Sequence, residues 1–221
     1  MVLEFFKGGS NSAIDDIQTI LVQMLEDGHD VFVTASDALF GGGKSKETKR
    51  EVRSTDRGIN EAQAEVRRIL MVHAAVSSSD LPVVLQYASI VKDAERVGDY
   101  AKNIYDLVRY GTDFDDAPDR AELIGYRDAV ANLILEAASV FRAGDTERAQ
   151  ALIGKADGFL AEYDAHVKAM CQTEGNTQDA VARALYYRFL KRTTAHVMNV
   201  LTSLVQPLDR LDYYDEAKED R

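Results

Sequence analysis

Glu95, Asp99 and Asn103 follow one another at four-residue spacing. On a helix this spacing sets three oxygen-bearing side chains one above another on a single face. Two carboxylates placed so repel each other by roughly a few tenths of a kcal/mol in water. Val84, Ala88 and Val91 lead into them along the same stripe, which puts the acids at a core-facing edge, where a positive charge must offset them. Gly98 lies between the two acids and leaves room for a partner helix or an ion. Upstream, Asp56 and Asn60 form a second oxygen pair at four-residue spacing. Antiparallel packing of the two segments would gather carboxylates and amides into a hard-ligand site suited to iron, manganese or magnesium, with zinc also admissible. Lys92, Arg96 and Lys102 stand within a few residues of the acids. Ordinary surface salt bridges therefore account for the same residues, and that is the commoner use of such spacing.

Other chemistries find little support. The four histidines, His29, His73, His166 and His196, are isolated and lack the paired spacing of a zinc site. The single Cys171 excludes an internal disulfide and fits a reducing compartment. No serine–histidine–aspartate arrangement stands out, and the paired Glu-x-x-His motifs of a di-metal bundle enzyme are not found, Glu26-Asp27-Gly28-His29 being a single copy. A net charge of −11 opposes binding of nucleic acid or an anionic membrane through the overall field. Lys44, Lys46, Lys49, Arg50 and Arg53 form a basic run that reads first as a solvated helix start and second as a contact for a partner or phosphate. Val2–Phe6 is too short for a signal peptide or anchor, and the apolar stretch from Leu81 to Val91 is far shorter than the roughly 20 residues that span a bilayer.

The elements that must position these residues are helices. The chain has 221 residues, 46% of them hydrophobic, with three prolines and no tryptophan, and it is rich in strong helix formers. Apolar residues at three- and four-residue steps predict a first helix from near Ile14, capped by Asn11 or Ser12, to about Phe40, stopped by Gly41-Gly42-Gly43. A second runs through Val52, Ile59, Val66, Ile69, Leu70 and His73; Ser77-Ser78-Ser79-Asp80 breaks it and caps a third, which carries the acids and ends near Gly111. The acidic loop Thr112–Asp116 marks a domain boundary. Three more helices follow, from Pro118 to Phe141, from Asp145 to Cys171 and from Asn176 to Pro207. The expectation is an all-α protein of two tandem antiparallel three-helix bundles, residues 10–112 and 116–207, with an acidic tail over 208–221. A shift of 96 residues, which sets Lys191 on Glu95, also sets Arg192 on Arg96 and Asn199 on Asn103. Tyr186-Tyr187 and Tyr213-Tyr214 read as packing residues with wet hydroxyls ahead of partner contacts.

The segment Asp93-Ala94-Glu95-Arg96-Val97-Gly98-Asp99-Tyr100-Ala101-Lys102-Asn103-Ile104 resembles the signature of the PhoU family, a Glu-Arg-(Ile/Val)-Gly-Asp core followed by Asn-Ile. The likeness extends back through Asp56–Ile69, and the six-helix layout agrees with the family's two bundles. The resemblance implies a non-enzymatic cytoplasmic regulator of phosphate uptake. Such proteins act on a phosphate transporter, on the membrane histidine kinase of the phosphate response, or on both, and touch the membrane only through a protein partner. It further implies homodimerisation through helical faces and a multinuclear iron or zinc cluster, with manganese or magnesium as alternatives. Carried over by position, the ligands would be Glu95, Asp99, Asp56, Asn60 and Asn103, with Arg96 supporting them. A soluble accessory of a different phosphate permease and a carboxylate-bridged di-metal protein are the alternatives. The second repeat departs from the pattern: Lys191 and Ala195 stand where Glu95 and Asp99 do. A metal site is therefore expected only in the first repeat, with Asp164 pairing with Lys191 in the second.

Overall fold

A computed structural model describes residues 10–42, 45–77 and 80–211. Expectations for Val2–Phe6, Gly43, Lys44, Ser78, Ser79, Tyr213, Tyr214 and most of the acidic tail fall outside these residues. The described chain is six long helices with no strand: α1 (Ser10–Asp37), α2 (Lys46–Val76), α3 (Leu81–Arg109), α4 (Arg120–Ala143), α5 (Thr146–Cys171) and α6 (Thr177–Thr202). Short 3₁₀ turns follow α1 at Ala38–Phe40 and α6 at Leu208–Arg210.

α1, α2 and α3 pack on one another, as do α4, α5 and α6, and the two sets meet where α3 lies on α6 and α1 on α4. α3 touches both its own set and the other one, which explains why its buried face is broad, from Val84 through Val91, Val97 and Ile104 to Val108. Two close approaches fix it. A Cβ on Gly98 would stand 2.9 Å from Ile59 Cδ1 on α2, and one on Gly28 would stand 3.0 Å from Val97 Cγ1. The space left by Gly98 is thus filled by a helix, not held open for an ion.

The 96-residue register appears in the seam between α3 and α6. The ring of Tyr100 stacks on His196 at 5.7 Å and meets Phe189 at 6.1 Å. Asp93 bonds His196. The shift converts the Asp93–His196 contact into the Phe189–Tyr100 contact, so one pairing occurs twice, once polar and once aromatic.

Several local expectations are corrected. α1 starts at Ser10, ahead of its expected caps, and Ala38–Phe40 tighten into a 3₁₀ turn before Gly41, whose φ of +86° favours glycine. Asp80 makes no side-chain cap; its carboxylate accepts from His73 Nε2 at 3.0 Å and Ser77 Oγ at 2.9 Å. The loop between the helix sets is docked: Phe114 is buried between Phe40 and Tyr186, and its N–H donates to Leu39 O at 2.7 Å. Asp145 and Asn176 do cap α5 and α6, accepting from the N–H groups of Arg148 and Asp179. Tyr186 and Tyr187 are packing residues, the former donating its hydroxyl proton to Leu123 O at 3.0 Å.

Candidate functional site

α2 and α3 run antiparallel with Ile59 against Gly98, and this register brings Asp56 to the level of Asp99 and Lys102. Lys102 Nζ donates to both carboxylate oxygens of Asp56, at 3.0 and 3.1 Å, and to Asp99 Oδ1 at 2.9 Å. The other oxygen of Asp99 accepts from Arg96 Nη1 at 3.0 Å. A lysine ammonium therefore stands between the two helices where an ion was expected. Burial alone would lower the Lys102 pKa, but the hydrogen bonds and charges of Asp99 and Asp56 outweigh it and hold the pKa above the ordinary lysine value.

Glu95 sits beside Asp99 on the same face and is mostly buried, with Arg96 Nε 3.7 Å away. Its carboxyl pKa is raised, first by burial and then by the neighbouring Asp99 charge, which Arg96 and Lys102 offset only in part. The cluster is thus short of positive charge at Glu95. Asn60 is exposed and turns its amide back to donate to the Asp56 carbonyl at 2.9 Å. Asn103 is half-buried one turn beyond Asp99 and makes no side-chain hydrogen bond among the described residues. The structure brings Asp56 and Asp99 together on Lys102, sets Glu95 against Asp99 alone, and leaves both amides at the margin. Among the described residues no three carboxylate, imidazole or thiol groups converge as metal ligands. The donor set is hard oxygen, and its shortage of positive charge suits a cation. Room for one at Asp56 and Asp99 requires Lys102 Nζ to withdraw.

In the second repeat Lys191 pairs with Asp164 across α5 and α6, so a fixed cation occupies the position of Glu95.

Sequence reading missed one residue of consequence. Asp93 is buried on the α3–α6 seam, where its Oδ1 accepts from His196 Nδ1 at 2.7 Å and Asn199 Nδ2 at 3.3 Å. Arg192 Nη2 lies 3.1 Å from His196 Nε2. An arginine only donates, so Nε2 must accept and Nδ1 carries the proton given to Asp93. His196 and Asn199 are therefore engaged in joining the helix sets. The available signal was periodic: Asp93 lies three and four residues from the buried Ile90 and Val97, on an apolar stripe.

Residues 19–108, which lie within α1–α3, match the family model for the PhoU domain. The crystal structure of PhoU from Pseudomonas aeruginosa is similar at a TM-score of 0.74 and 20% identity, covering 90% of this chain and 98% of that one. The phosphate transport system regulatory protein PhoU from Streptococcus pneumoniae is similar at 0.73 and 20%, covering 90% and 96%. No curated protein sequence matches. The structural likenesses establish the fold, and the domain match establishes the family resemblance for the helices that carry Asp56, Glu95 and Asp99.

Proposed function

We propose that this chain, with a PhoU domain over residues 19–108 and the PhoU fold over nine-tenths of its length, is a regulator of a phosphate transport system. It acts as a cytoplasmic adaptor without catalysis of its own. The observation that carries this reading is the coincidence of the domain match with the acidic cluster on α2 and α3. The partner is a phosphate transporter, with the kinase of the phosphate response as a second target. No helix among the described residues is long and apolar enough to cross a membrane, so contact with the transporter falls to the chain's outer faces.

Asp56, Glu95 and Asp99 are the residues that would hold iron or zinc, with Asn60 and Asn103 beside them, once Lys102 Nζ withdraws and the acids draw closer. A bound ion would supply positive charge to these carboxylates on α2 and α3. Without it, Lys102 ties the two helices through Asp56 and Asp99. Exchange between the two would change how firmly α2 is held, and so what α2 presents to a partner. A permanent lysine clamp is the second reading, favoured by the three hydrogen bonds of Lys102 Nζ.

Two experiments test the proposal. The tagged chain is used to recover partners from solubilised membranes of its own organism, identified by mass spectrometry. A phosphate transporter subunit is expected, and recovery of none would count against the adaptor role. Elemental analysis of protein purified without chelators, beside the Glu95→Ala/Asp99→Ala variant, tests the cluster. Equal metal content in both would leave the lysine clamp as the account of the site.

A further inference from the structure

Lys46, Lys49, Arg50, Arg53 and Arg57 recur along α2 at steps of three, one, three and four residues, which places all five within a band roughly 100° wide on the helix. They line an open groove of about 390 Å³ with Ser54. All except the half-buried Lys49 are exposed. Many cations elsewhere are paired, as Arg68 is with Glu65, Arg109 with Asp106, Arg142 with Glu26 and Lys191 with Asp164. Among the described residues none of these five has an ion-pair partner. Five unpaired cations on one face of a chain of net charge −11 are a local inversion of the field, and such a patch recruits the opposite charge.

We propose that this stripe is a docking surface for an acidic helical segment of a partner protein. No apolar residue lines the groove, whose apolar surface is that of the lysine and arginine stems, so its occupant is selected by charge and hydrogen bonds. The stripe extends about 16 Å along the helix axis. One inorganic phosphate would engage only two or three of the five side chains. A nucleic acid would bring its phosphates against a chain that carries 37 Asp and Glu against 26 Lys and Arg, the five of the stripe included. A helix with Glu or Asp at i, i+3, i+4 and i+7 repeats the spacing of the stripe and offers carboxylates to the planar forks of Arg50, Arg53 and Arg57. Asp56, the lysine-bound acid, lies between Arg53 and Arg57 in sequence, so the docked segment ends next to the α2–α3 cluster. The inference does not depend on metal being bound there.

The test uses the full chain and a fluorescent synthetic helical peptide of about 16 residues, with glutamates on one face, beside a peptide of the same composition with glutamates spread round the helix. Anisotropy is read from about 50 mM to about 300 mM salt. The one-faced peptide should bind at least about tenfold more tightly than the control, and weaken as salt rises. The Arg50→Glu/Arg53→Glu variant should lose at least about tenfold in affinity, and Arg50→Gln/Arg53→Gln should lose less, while Arg67→Glu/Arg68→Glu keeps it. Circular dichroism should show all three folded as the parent is. Equal binding of the two peptides, or unchanged binding by Arg50→Gln/Arg53→Gln, would overturn the proposal. Preference for polyphosphate over the one-faced peptide would overturn the choice of occupant.

Discussion

Replacing Lys102 by Met keeps the apolar stem and removes the ammonium that bridges α2 and α3. Two ion pairs are lost, and because the lysine is 37% exposed each counts as a screened pair worth about 0.5–1 kcal/mol. The acids are also left facing each other. One oxygen of each lies within 3.0 Å of the same Nζ, so they are at most about 6 Å apart, and their repulsion lies between about 0.7 kcal/mol in water and about 3 kcal/mol at an effective dielectric constant of 20. Relaxation toward solvent keeps the true figure near the lower end, which gives a total loss of about 1–3 kcal/mol. For a chain of this size that lowers the melting temperature by about 2–10 °C. Metal-free protein is melted in parallel with wild type at neutral pH and at a series of alkaline pH values. The Lys102 pKa is raised on folding, so its contribution is complete below the ordinary lysine range and disappears as pH rises through the folded value. The two melting curves should converge at strongly alkaline pH. Equal melting temperatures at neutral pH would refute the lysine bridge. Adding a divalent ion should stabilise the Met variant more than wild type, since nothing competes for Asp56 and Asp99.

Glu95→Gln carries a distinct signature. The folded-state pKa of Glu95 is raised, so above the ordinary glutamate range its charge opposes folding, and wild type loses stability as pH rises through that window. The variant should melt at or above the wild-type temperature at neutral pH in chelator, lose that advantage in acid, and gain less from added metal. Asp93→Ala leaves His196 Nδ1 and Asn199 Nδ2 without their acceptor in the seam and should cost about 2–4 kcal/mol in chemical denaturation; a cost below about 0.5 kcal/mol would mean the seam is held by packing alone. Gly98→Leu forces side-chain atoms into the space of Ile59 Cδ1, and should cost about 1–3 kcal/mol or more by overpacking while abolishing any metal-induced stabilisation. If the variant melts as wild type does, α2 and α3 are not in close contact there.

The helices were legible because each has a buried stripe and a terminating signal, as with Asp145 and Asn176 at α5 and α6. The Lys191–Asp164 pair was legible because a cation replaced an acid at a repeated position. The true centre of the acidic cluster was not. Lys102 is three residues from Asp99, and local spacing cannot tell whether a lysine also reaches a carboxylate 46 positions away. That depends on the α2–α3 register, set by Ile59 against Gly98. Asn60 shows the same limit: its spacing to Asp56 suits a shared ligand, yet its amide finds the nearest carbonyl on its own helix. Phe114 was hidden for the opposite reason, since the acidic residues around it mark a loop and only the third dimension supplies Phe40 and Tyr186.

The central claim, regulation of a phosphate transport system, is tested most directly by uptake of radiolabelled phosphate in cells of the source organism. Cells lacking the gene, cells complemented with wild type, and cells complemented with Glu95→Ala/Asp99→Ala are compared in phosphate-rich and phosphate-poor medium. The account predicts that loss of the gene changes how uptake responds to phosphate supply, that wild type restores the response, and that the double variant restores it only in part. Uptake that responds to supply identically with and without the gene would contradict it.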